Sequence, residues 1–206
     1  LGDEYVHAMN LAASYAAIAR HEVLLRVMHL IGYEAAGNER WVENCHNFAE
    51  QDYVTDRDGR DVMGWITRKG CTPIHYDEDS FIGGSMGTAS VIVHGTSGIL
   101  ASDSAYYLHT TVHGAGRVMG RSRAAGKRAK DGTWKREPEI DWPAVTADLD
   151  KQGIEVRGGG ADEAPGVYRD IWPVLDKHKA TIRVSDTLYP IGVVMAGAGD
   201  MDPYKD

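Results

Sequence analysis

The chain has 206 residues, of which 43% are apolar, and its formal net charge is −8. This length suits one large domain or two small ones, and the sequence lacks both a signal peptide and an apolar run long enough to predict a membrane-spanning helix. The acidic balance argues against nonspecific nucleic-acid binding over the whole surface, and two cysteines, Cys45 and Cys71, are too few for a disulfide framework, so a cytoplasmic location is expected.

A long helix is predicted at the start of the chain. Apolar residues recur there at steps of three and four from residue 3 to residue 31, with Asp3 as a cap and Gly32 as the end. Turns and short strands should follow, with His46 in a strand or turn over residues 41–50. The remaining expectations for this part are a loop over 52–61 and strands near 62–67, 90–94 and 105–109.

The second half of the chain alternates helices with short strands. A helix is expected after Gly116, and it would carry a basic stripe that runs from Arg117 to Arg136. Asp141 and Pro143 predict another helix start. Further on, the pattern predicts a strand at 154–156, a helix near 170–179 and strands near 181–185 and 190–195. The fold class predicted from this mixture is α+β, with mixed β-sheets packed with helices.

The segment from His113 to Arg117, with the sequence HGAGR, is the most informative motif. Gly114, Ala115 and Gly116 carry no bulky side chain, so backbone N–H groups can approach an anion closely. A histidine in that place can attack phosphorus, and Arg117 can balance the charge that develops on phosphate oxygens. The segment therefore predicts a site where a nucleotide is bound and covalently captured.

Three further motifs carry candidate chemistry, and each also has an ordinary structural interpretation. His46, in CHNFA, could bind a divalent metal or could be a structural histidine. Arg68 and Lys69, in TRKG, could hold an anion or could be solvated residues at a strand end. The loop from Gly83 to Ser90 offers backbone and hydroxyl donors to phosphate, but it lacks the ending of a Walker A motif.

Taken in order, CHNFA, TRKG, GGSMGTAS and HGAGR resemble the RtcB-type RNA-splicing ligases. The similarity runs from the opening helix to about Met195, which corresponds to roughly the C-terminal half of such an enzyme. The resemblance implies an RtcB-like fold. It also implies that RNA with a 2′,3′-cyclic phosphate or 3′-phosphate is joined to RNA with a 5′-OH, with GTP and Mn²⁺ as cofactors.

The resemblance also assigns roles to individual residues. His113 would be the catalytic residue that takes GMP as a phosphoramidate, and His46 would bind the metal. The nucleotide would be bound by Ser85, Met86, Ser90, His113, Gly114, Ala115, Gly116 and Tyr168. Lys69, Arg117 and Arg121 would hold RNA or substrate phosphates.

The chain departs from the family pattern in two respects. Met195 stands where the family has a lysine that contacts guanine, and a methionine cannot donate a hydrogen bond to a guanine carbonyl. The motifs of the family's N-terminal half, which supply further metal ligands, do not occur in residues 1–206. Because one metal-binding histidine alone cannot hold Mn²⁺ well, we expect a C-terminal catalytic portion that is inactive alone. A first residue of Leu1 rather than Met fits the expectation of a fragment or of one part of a longer polypeptide. The partner of this portion would be the N-terminal half, in the same longer chain or as a second polypeptide.

Two classes of function remain open at this point. The first is the catalytic portion of a GTP- and Mn²⁺-dependent RNA ligase. The second is a non-catalytic RNA-binding or subunit module descended from such a ligase, which the departures at Met195 and at the missing motifs would favour. An unrelated nucleotide hydrolase or kinase is a poor alternative, because no Walker or kinase signature is present.

Overall fold

A computed structural model describes residues 2–34, 36–96 and 107–197. The α-helices in these ranges are α1 Gly2–Leu30, α2 Arg121–Ala124, α3 Trp142–Lys151 and α4 Ile171–His178, and two 3₁₀ turns span Ala161–Glu163 and Pro165–Val167. The strands are β1 Asn47–Thr55, β2 Asp61–Lys69, β3 Cys71–Pro73, β4 Asp79–Ile82, β5 Ser90–Gly95, β6 Thr110–Val112, β7 Lys127–Arg128, β8 Trp134–Arg136, β9 Glu155–Arg157, β10 Ile182–Leu188 and β11 Gly192–Val194. None of the described helices combines the length and the hydropathy needed to cross a lipid bilayer.

Within the described ranges, the strands form small sheets rather than one large sheet. β1 and β2 make an antiparallel hairpin, and β10, β5 and β4 make a three-stranded antiparallel sheet in that order. β3 pairs with β6 and β7 pairs with β8, both antiparallel, whereas β9 and β11 are parallel. The prediction of an α+β fold with mixed sheets is therefore confirmed.

The largest core cluster lies between the three-stranded sheet and α4. Alternate residues of β4 and β5 point inward, as a half-buried strand requires, and α4 contributes its apolar side to the same cluster. The buried members are Ile74, Ile82, Val91, Val93, Ile171, Leu175 and Ile182. Ala115 of the HGAGR segment packs against this cluster, so the core supports the candidate site directly.

Two smaller clusters hold the second half of the chain together. Met86, Leu149 and Ile154 form one of them, and they fasten the GGSMGTAS loop to α3. The other consists of Ala124, Ala164 and Val167, which bring α2 against the 3₁₀ turns. These clusters place the glycine-rich loop and the segment around Tyr168 on neighbouring parts of one surface.

Helix α1 begins at Gly2 and ends at Leu30, in agreement with its predicted extent. None of its residues is buried within the described part of the chain. Its contacts with the following segment include a stack of the His21 ring on Trp41 and an ion pair between Arg20 and Glu43. An apolar groove of about 580 Å³ lies beside its C-terminal end, lined in part by Leu24, Trp41 and Leu188.

Several other sequence predictions are confirmed as well. Asp141 caps α3, because its side chain accepts a hydrogen bond of 3.1 Å from the Ala144 N–H, and Pro143 lies in the first turn. The strands expected near 62–67 and 90–94 correspond to β2 and β5. The strand expected near 105–109 is wrong over its described part. Residues 107–109 form a turn, with positive φ at Leu108 and His109, and β6 begins only at Thr110; residues 105 and 106 lie outside the described residues.

The loop predicted over residues 52–61 is wrong for half of its length. β1 continues to Thr55, and only the turn of residues 56–60 separates it from β2. The polar side chains of this segment indicated a loop, but both strands of the hairpin are largely solvent-exposed, so polarity does not exclude pairing.

The helix predicted after Gly116 is also wrong, because α2 contains only four residues. The basic stripe continues into the β7–β8 hairpin instead. Gly126 adopts a left-handed backbone conformation (φ +73°), and a Cβ there would lie 2.7 Å from the Trp134 ring. The chain therefore turns away from a helical path at Gly126.

Candidate active site

The two histidines singled out by the sequence lie against each other. The rings of His46 and His113 are stacked with a centroid separation of 4.6 Å and an angle of 9° between their planes. His46 directly precedes β1, and His113 directly follows β6. The structure therefore brings together the proposed metal ligand and the proposed nucleophile from positions 67 residues apart in the chain.

Gly70 lies between β2, which pairs with β1, and β3, which pairs with β6. Its N–H lies 2.7 Å from the His46 carbonyl oxygen and 3.0 Å from the Asn47 Oδ1, and its φ is +70°. A Cβ at this position would lie 3.6 Å from His113 Nε2. Glycine is therefore suited to this junction, because it adopts the left-handed conformation readily and leaves room beside the ring.

The surroundings of the His113 ring favour its uncharged form. Partial burial, and then the neighbouring His46 ring, lower the pKa of His113 below its ordinary value of 6.5. An imidazole that is neutral near pH 7 keeps a lone pair on one ring nitrogen, which is what a nucleophile needs.

The GGSMGTAS loop is held in shape by its own hydroxyl groups. Ser90 Oγ accepts a hydrogen bond of 3.0 Å from the Gly84 N–H, and Thr88 Oγ1 accepts one of 2.7 Å from the Ser85 N–H. The Ser85 and Thr88 hydroxyls are 2.9 Å apart. Gly84 has no space for a side chain, since a Cβ would lie 2.1 Å from the Ala89 carbonyl oxygen.

The loop also joins the HGAGR segment directly. The Gly83 N–H donates to the His113 carbonyl oxygen at 3.1 Å, and Gly83 forms a parallel bridge with Gly114. Together the two segments line a cavity of about 690 Å³. All the residues predicted to bind the nucleotide line this cavity: Ser85, Met86, Ser90, His113, Gly114, Ala115, Gly116 and Tyr168.

A charged network occupies one wall of the cavity. The Arg117 guanidinium donates to the Tyr168 hydroxyl at 3.0 Å and lies 3.5 Å from Glu163. Arg121 donates to Glu163 at 3.2 Å and lies 3.7 Å from Asp162. Two carboxylates thus balance the two arginines that the resemblance assigns to phosphate or RNA.

Tyr168 is part of the same network. Its hydroxyl donates to Glu163, and the Arg117 guanidinium lies over its ring, 5.0 Å from the centroid. Burial, the hydrogen bond to Glu163 and the charge of that carboxylate raise the pKa of Tyr168 to about 12. The side chain therefore stays a neutral phenol, with its ring fixed in the cavity wall.

The TRKG motif separates into a structural residue and an exposed one. Arg68 is only 3% exposed, and it pairs with Glu50 and donates to Thr110 Oγ1 at 2.9 Å and to the Leu108 carbonyl at 3.0 Å. Lys69 is exposed and does not line the 690 Å³ cavity. Of the two cations, Lys69 is therefore the one that could reach a phosphate.

The described residues do not complete a metal site. No group of three or more histidine, cysteine, aspartate or glutamate side chains in residues 2–34, 36–96 and 107–197 is arranged to hold an ion. His46 with His113 alone would give too few ligands for Mn²⁺, which prefers several converging oxygen and nitrogen donors. A metal site at His46 therefore requires ligands from elsewhere.

Sequence reasoning missed two residues that line the cavity, Glu163 and Arg169, and the acidic residue Asp162, which pairs with Arg121. Asp162 and Glu163 lie in a 3₁₀ turn after a glycine run, where the pattern indicated only a loop. Arg169 lines the cavity beside Tyr168. The only sequence signal for Arg169 was its position next to Tyr168. A single sequence does not show which way adjacent side chains point.

Comparison with known proteins shows the family to which the chain belongs. The chain matches the model of the family described as tRNA-splicing ligase RtcB over residues 1–196. The chain belongs to the RtcB family. It is 31% identical to the RNA-splicing ligase RtcB of Mycobacterium tuberculosis over 94% of this chain and 45% of that protein. It is 30% identical to the tRNA-splicing ligase RtcB of Pyrobaculum aerophilum, over 85% of this chain and 38% of that protein.

The matched region covers only part of the length of the RtcB proteins. The chain spans less than half the length of these curated relatives, and only 21% of the RtcB protein of Pyrococcus furiosus, to which it is 30% identical. The described residues of this RtcB family member line the 690 Å³ cavity, but they do not form a complete metal site.

Proposed function

We propose that this chain is the nucleotide-capturing part of a GTP- and Mn²⁺-dependent RNA ligase. It would join RNA ending in a 2′,3′-cyclic phosphate or 3′-phosphate to RNA with a 5′-OH. The observation that carries the proposal is the position of His113. Its ring, held neutral by its surroundings, lines the same cavity as the glycine-rich loop and the HGAGR backbone.

The proposed reaction begins at the His113 ring. A ring nitrogen attacks the α-phosphorus of GTP, an N–P bond forms, the bond to pyrophosphate breaks, and the ring loses its remaining N–H proton. A 2′,3′-cyclic phosphate would first be hydrolysed by water to a 3′-phosphate. An oxygen of the RNA 3′-phosphate then attacks the GMP phosphorus, so that a P–O bond forms, the N–P bond breaks and the imidazole is freed. The 5′-OH finally attacks that activated phosphate, and GMP leaves.

Backbone and side-chain groups would support these steps. Glycines at 83, 84, 114 and 116 let main-chain N–H groups approach the phosphates, and the Ser85 and Ser90 hydroxyls lie in the same wall. Lys69, Arg117 and Arg121 are the proposed contacts for RNA or substrate phosphates. For the last two, an incoming phosphate would compete with Glu163 and Asp162.

We also propose that a second polypeptide, or a longer form of this chain, supplies the rest of the RtcB length. Mn²⁺, which would neutralise phosphate charge, would be bound by His46 with ligands from that part. Two observations support this proposal: the short ligand set at His46, and a helix α1 that buries none of its residues in the described structure. The apolar side chains of α1 would pack against the missing part.

Both cysteines are unpaired, which suits a cytoplasmic location.

The proposal is tested by following GTP label onto the protein. The chain is mixed with Mn²⁺ and GTP labelled at the α-phosphate, alone and with the N-terminal part of the Mycobacterium tuberculosis relative. We expect acid-labile label on the chain when both parts are present, and its loss in His113→Ala. His178→Ala, at the C-terminal end of α4 and outside the cavity, is the matched control and should keep the label.

The alternative is a non-catalytic RNA-binding or subunit module descended from a ligase. Met195 and the incomplete ligand set favour it. Absence of label in both mixtures, together with RNA binding that is unchanged in His113→Ala, would support this alternative and reject the ligase.

A further inference from the structure

The nucleotide cavity is lined by three guanidinium groups, and they differ in how their charge is balanced. Arg117 lies 3.5 Å from Glu163, and Arg121 lies within 4 Å of both Glu163 and Asp162. Arg117 also donates to the carbonyl oxygens of Met119 and Asp162. Both arginines therefore brace the wall of the cavity, and their charge is already offset by carboxylates.

Arg169 is the third guanidinium, and it forms no ion pair with a carboxylate among the described residues. The acid next to it in sequence is engaged elsewhere. Asp170 caps α4, since its Oδ1 accepts a hydrogen bond of 3.2 Å from the Trp172 N–H. The positive charge of Arg169 therefore remains available in a cavity whose other arginines are balanced.

The backbone places this side chain beside the nucleophile segment. The Arg169 N–H donates to the Gly116 carbonyl at 3.0 Å, and its Nη1 donates to the Arg117 carbonyl at 3.2 Å. A Cβ at Gly116 would lie only 3.1 Å from that Nη1. The glycine of the HGAGR segment thus allows the guanidinium to lie against it, three residues from His113.

We infer that Arg169 is the side chain of this cavity that binds the phosphate chain of the nucleotide. The inference rests on the proposed function and names a binding residue for it. A guanidinium presents several N–H donors in a fork that fits phosphate oxygens, and only Nη1 has a hydrogen-bond acceptor among the described residues. An unbalanced cation that lines the same cavity as the His113 ring would also stabilise the charge that develops on the phosphate oxygens.

The test measures how the affinity depends on the number of phosphates. The cavity is lined by this chain's own residues, so the chain alone is titrated with GTP, GDP, GMP and guanosine, without added metal. We expect Arg169→Gln to raise the Kd for GTP by roughly 10- to 100-fold, as the loss of a charge-assisted contact implies, with a smaller effect for GMP. The Kd for guanosine should stay unchanged.

Two further variants separate binding from structure. Arg169→Lys keeps the charge but lacks the forked donors, so it should recover only part of the GTP affinity. Arg183→Gln, at an exposed position of β10 outside the cavity, should have no effect. The melting temperature of Arg169→Gln should stay close to that of the unaltered chain, because the side chain is exposed.

The outcomes distinguish this inference from the proposed function. Equal GTP affinity in Arg169→Gln, or an equal loss for GTP and guanosine, overturns the inference and leaves the labelling of His113 untouched. Loss of phosphate-dependent affinity in a chain that is never labelled at His113 supports Arg169 as a phosphate ligand and rejects the ligase. If the unaltered chain binds none of the four compounds, the inference is rejected, and the labelling of His113 in the presence of both parts and Mn²⁺ still decides the proposed function.

Discussion

Arg68 and Lys69 are neighbours in β2, but Arg68 is a buried structural residue and Lys69 is exposed to solvent. The Arg68 side chain is almost fully buried and ties β2 to Glu50 of β1 and to the turn before β6. A buried guanidinium is tolerated only when its donors are satisfied, and here carboxylate, hydroxyl and carbonyl oxygens surround it. Lys69 points to solvent, where its charge is available to a partner.

We therefore expect opposite effects from substitution at these two positions. Arg68→Met leaves the Glu50 carboxylate without its partner and should lower the free energy of unfolding by about 3 kcal/mol. Lys69→Gln should change it by less than about 0.5 kcal/mol, as is usual for an exposed site. Urea denaturation measures both values, and a stable Arg68→Met variant would show that this network does not hold the hairpin in place.

His75 gives the stability a dependence on pH. Its ring nitrogens lie 2.7 Å from Asp52 and 2.8 Å from Glu78, and its ring stacks on His109 at 4.7 Å. Burial opposes protonation of His75, but the hydrogen bonds and charges of the two carboxylates outweigh it and raise its pKa above 6.5. Burial, and then the charge of His75, lower the pKa of His109.

A raised pKa in the folded state means that protonation of His75 stabilises the fold. This contribution is complete below the unfolded value of about 6.5, and it is lost as the pH rises through the higher folded value. We expect the melting temperature of the unaltered chain to exceed that of His75→Gln most at about pH 5.5 and least at about pH 8.5. A difference that instead widened with rising pH would contradict this assignment.

At the scale of elements, β11 depends on one glycine turn. Gly158 has φ +77°, and a Cβ there would lie 2.1 Å from the Met195 carbonyl oxygen. The backbone on both sides is joined by hydrogen bonds, from the Met195 N–H to the Arg157 carbonyl at 2.8 Å and from the Gly159 N–H to the Ala196 carbonyl at 3.0 Å. This turn thus fixes Met195 in the cavity wall.

Gly158→Ala should displace β11 from β9 and lower the free energy of unfolding by roughly 3 kcal/mol, because backbone strain and a steric clash add together. Gly153→Ala is the matched control. Gly153 also has a left-handed φ, of +76°, but nothing lies within 4 Å of its Cβ position, so only strain of about 1 kcal/mol is expected. Equal losses in urea denaturation would show that the contact with Met195 is not decisive.

The elements that sequence alone predicted well are those with strong local signals. α1 has a periodic apolar pattern, and α3 has an aspartate cap followed by proline. The predictions over residues 52–61 and after Gly116 were wrong because those segments are organised by pairing. A polar hairpin strand looks like a loop until its partner is known. Gly126, with its left-handed φ, leads the chain into the β7–β8 hairpin, and a local pattern does not show that pairing.

At the scale of the whole molecule, the motifs predicted which residues come together but not how their charges balance. His46, Ser85 and His113 were selected from sequence, and they lie around adjoining cavities. The roles of Arg117 and Arg121 depend on Glu163 and Asp162, which a single sequence cannot place opposite them. These assignments to nucleotide, RNA and metal remain predictions for the experiments above.

The exposure of helix α1 bears on how fast an unassembled copy of the chain would be degraded. Most helices in proteins are stabilised by tertiary packing. Helix α1 has 29 residues and none of them is buried in the described structure, so packing adds little to its stability. Under the proposal that another part of the ligase covers it, an uncovered copy would expose Ile18 and Leu30, now 71% and 81% accessible, to proteases and chaperones. Turnover of unassembled copies would then match the abundance of the two parts without any dedicated regulator.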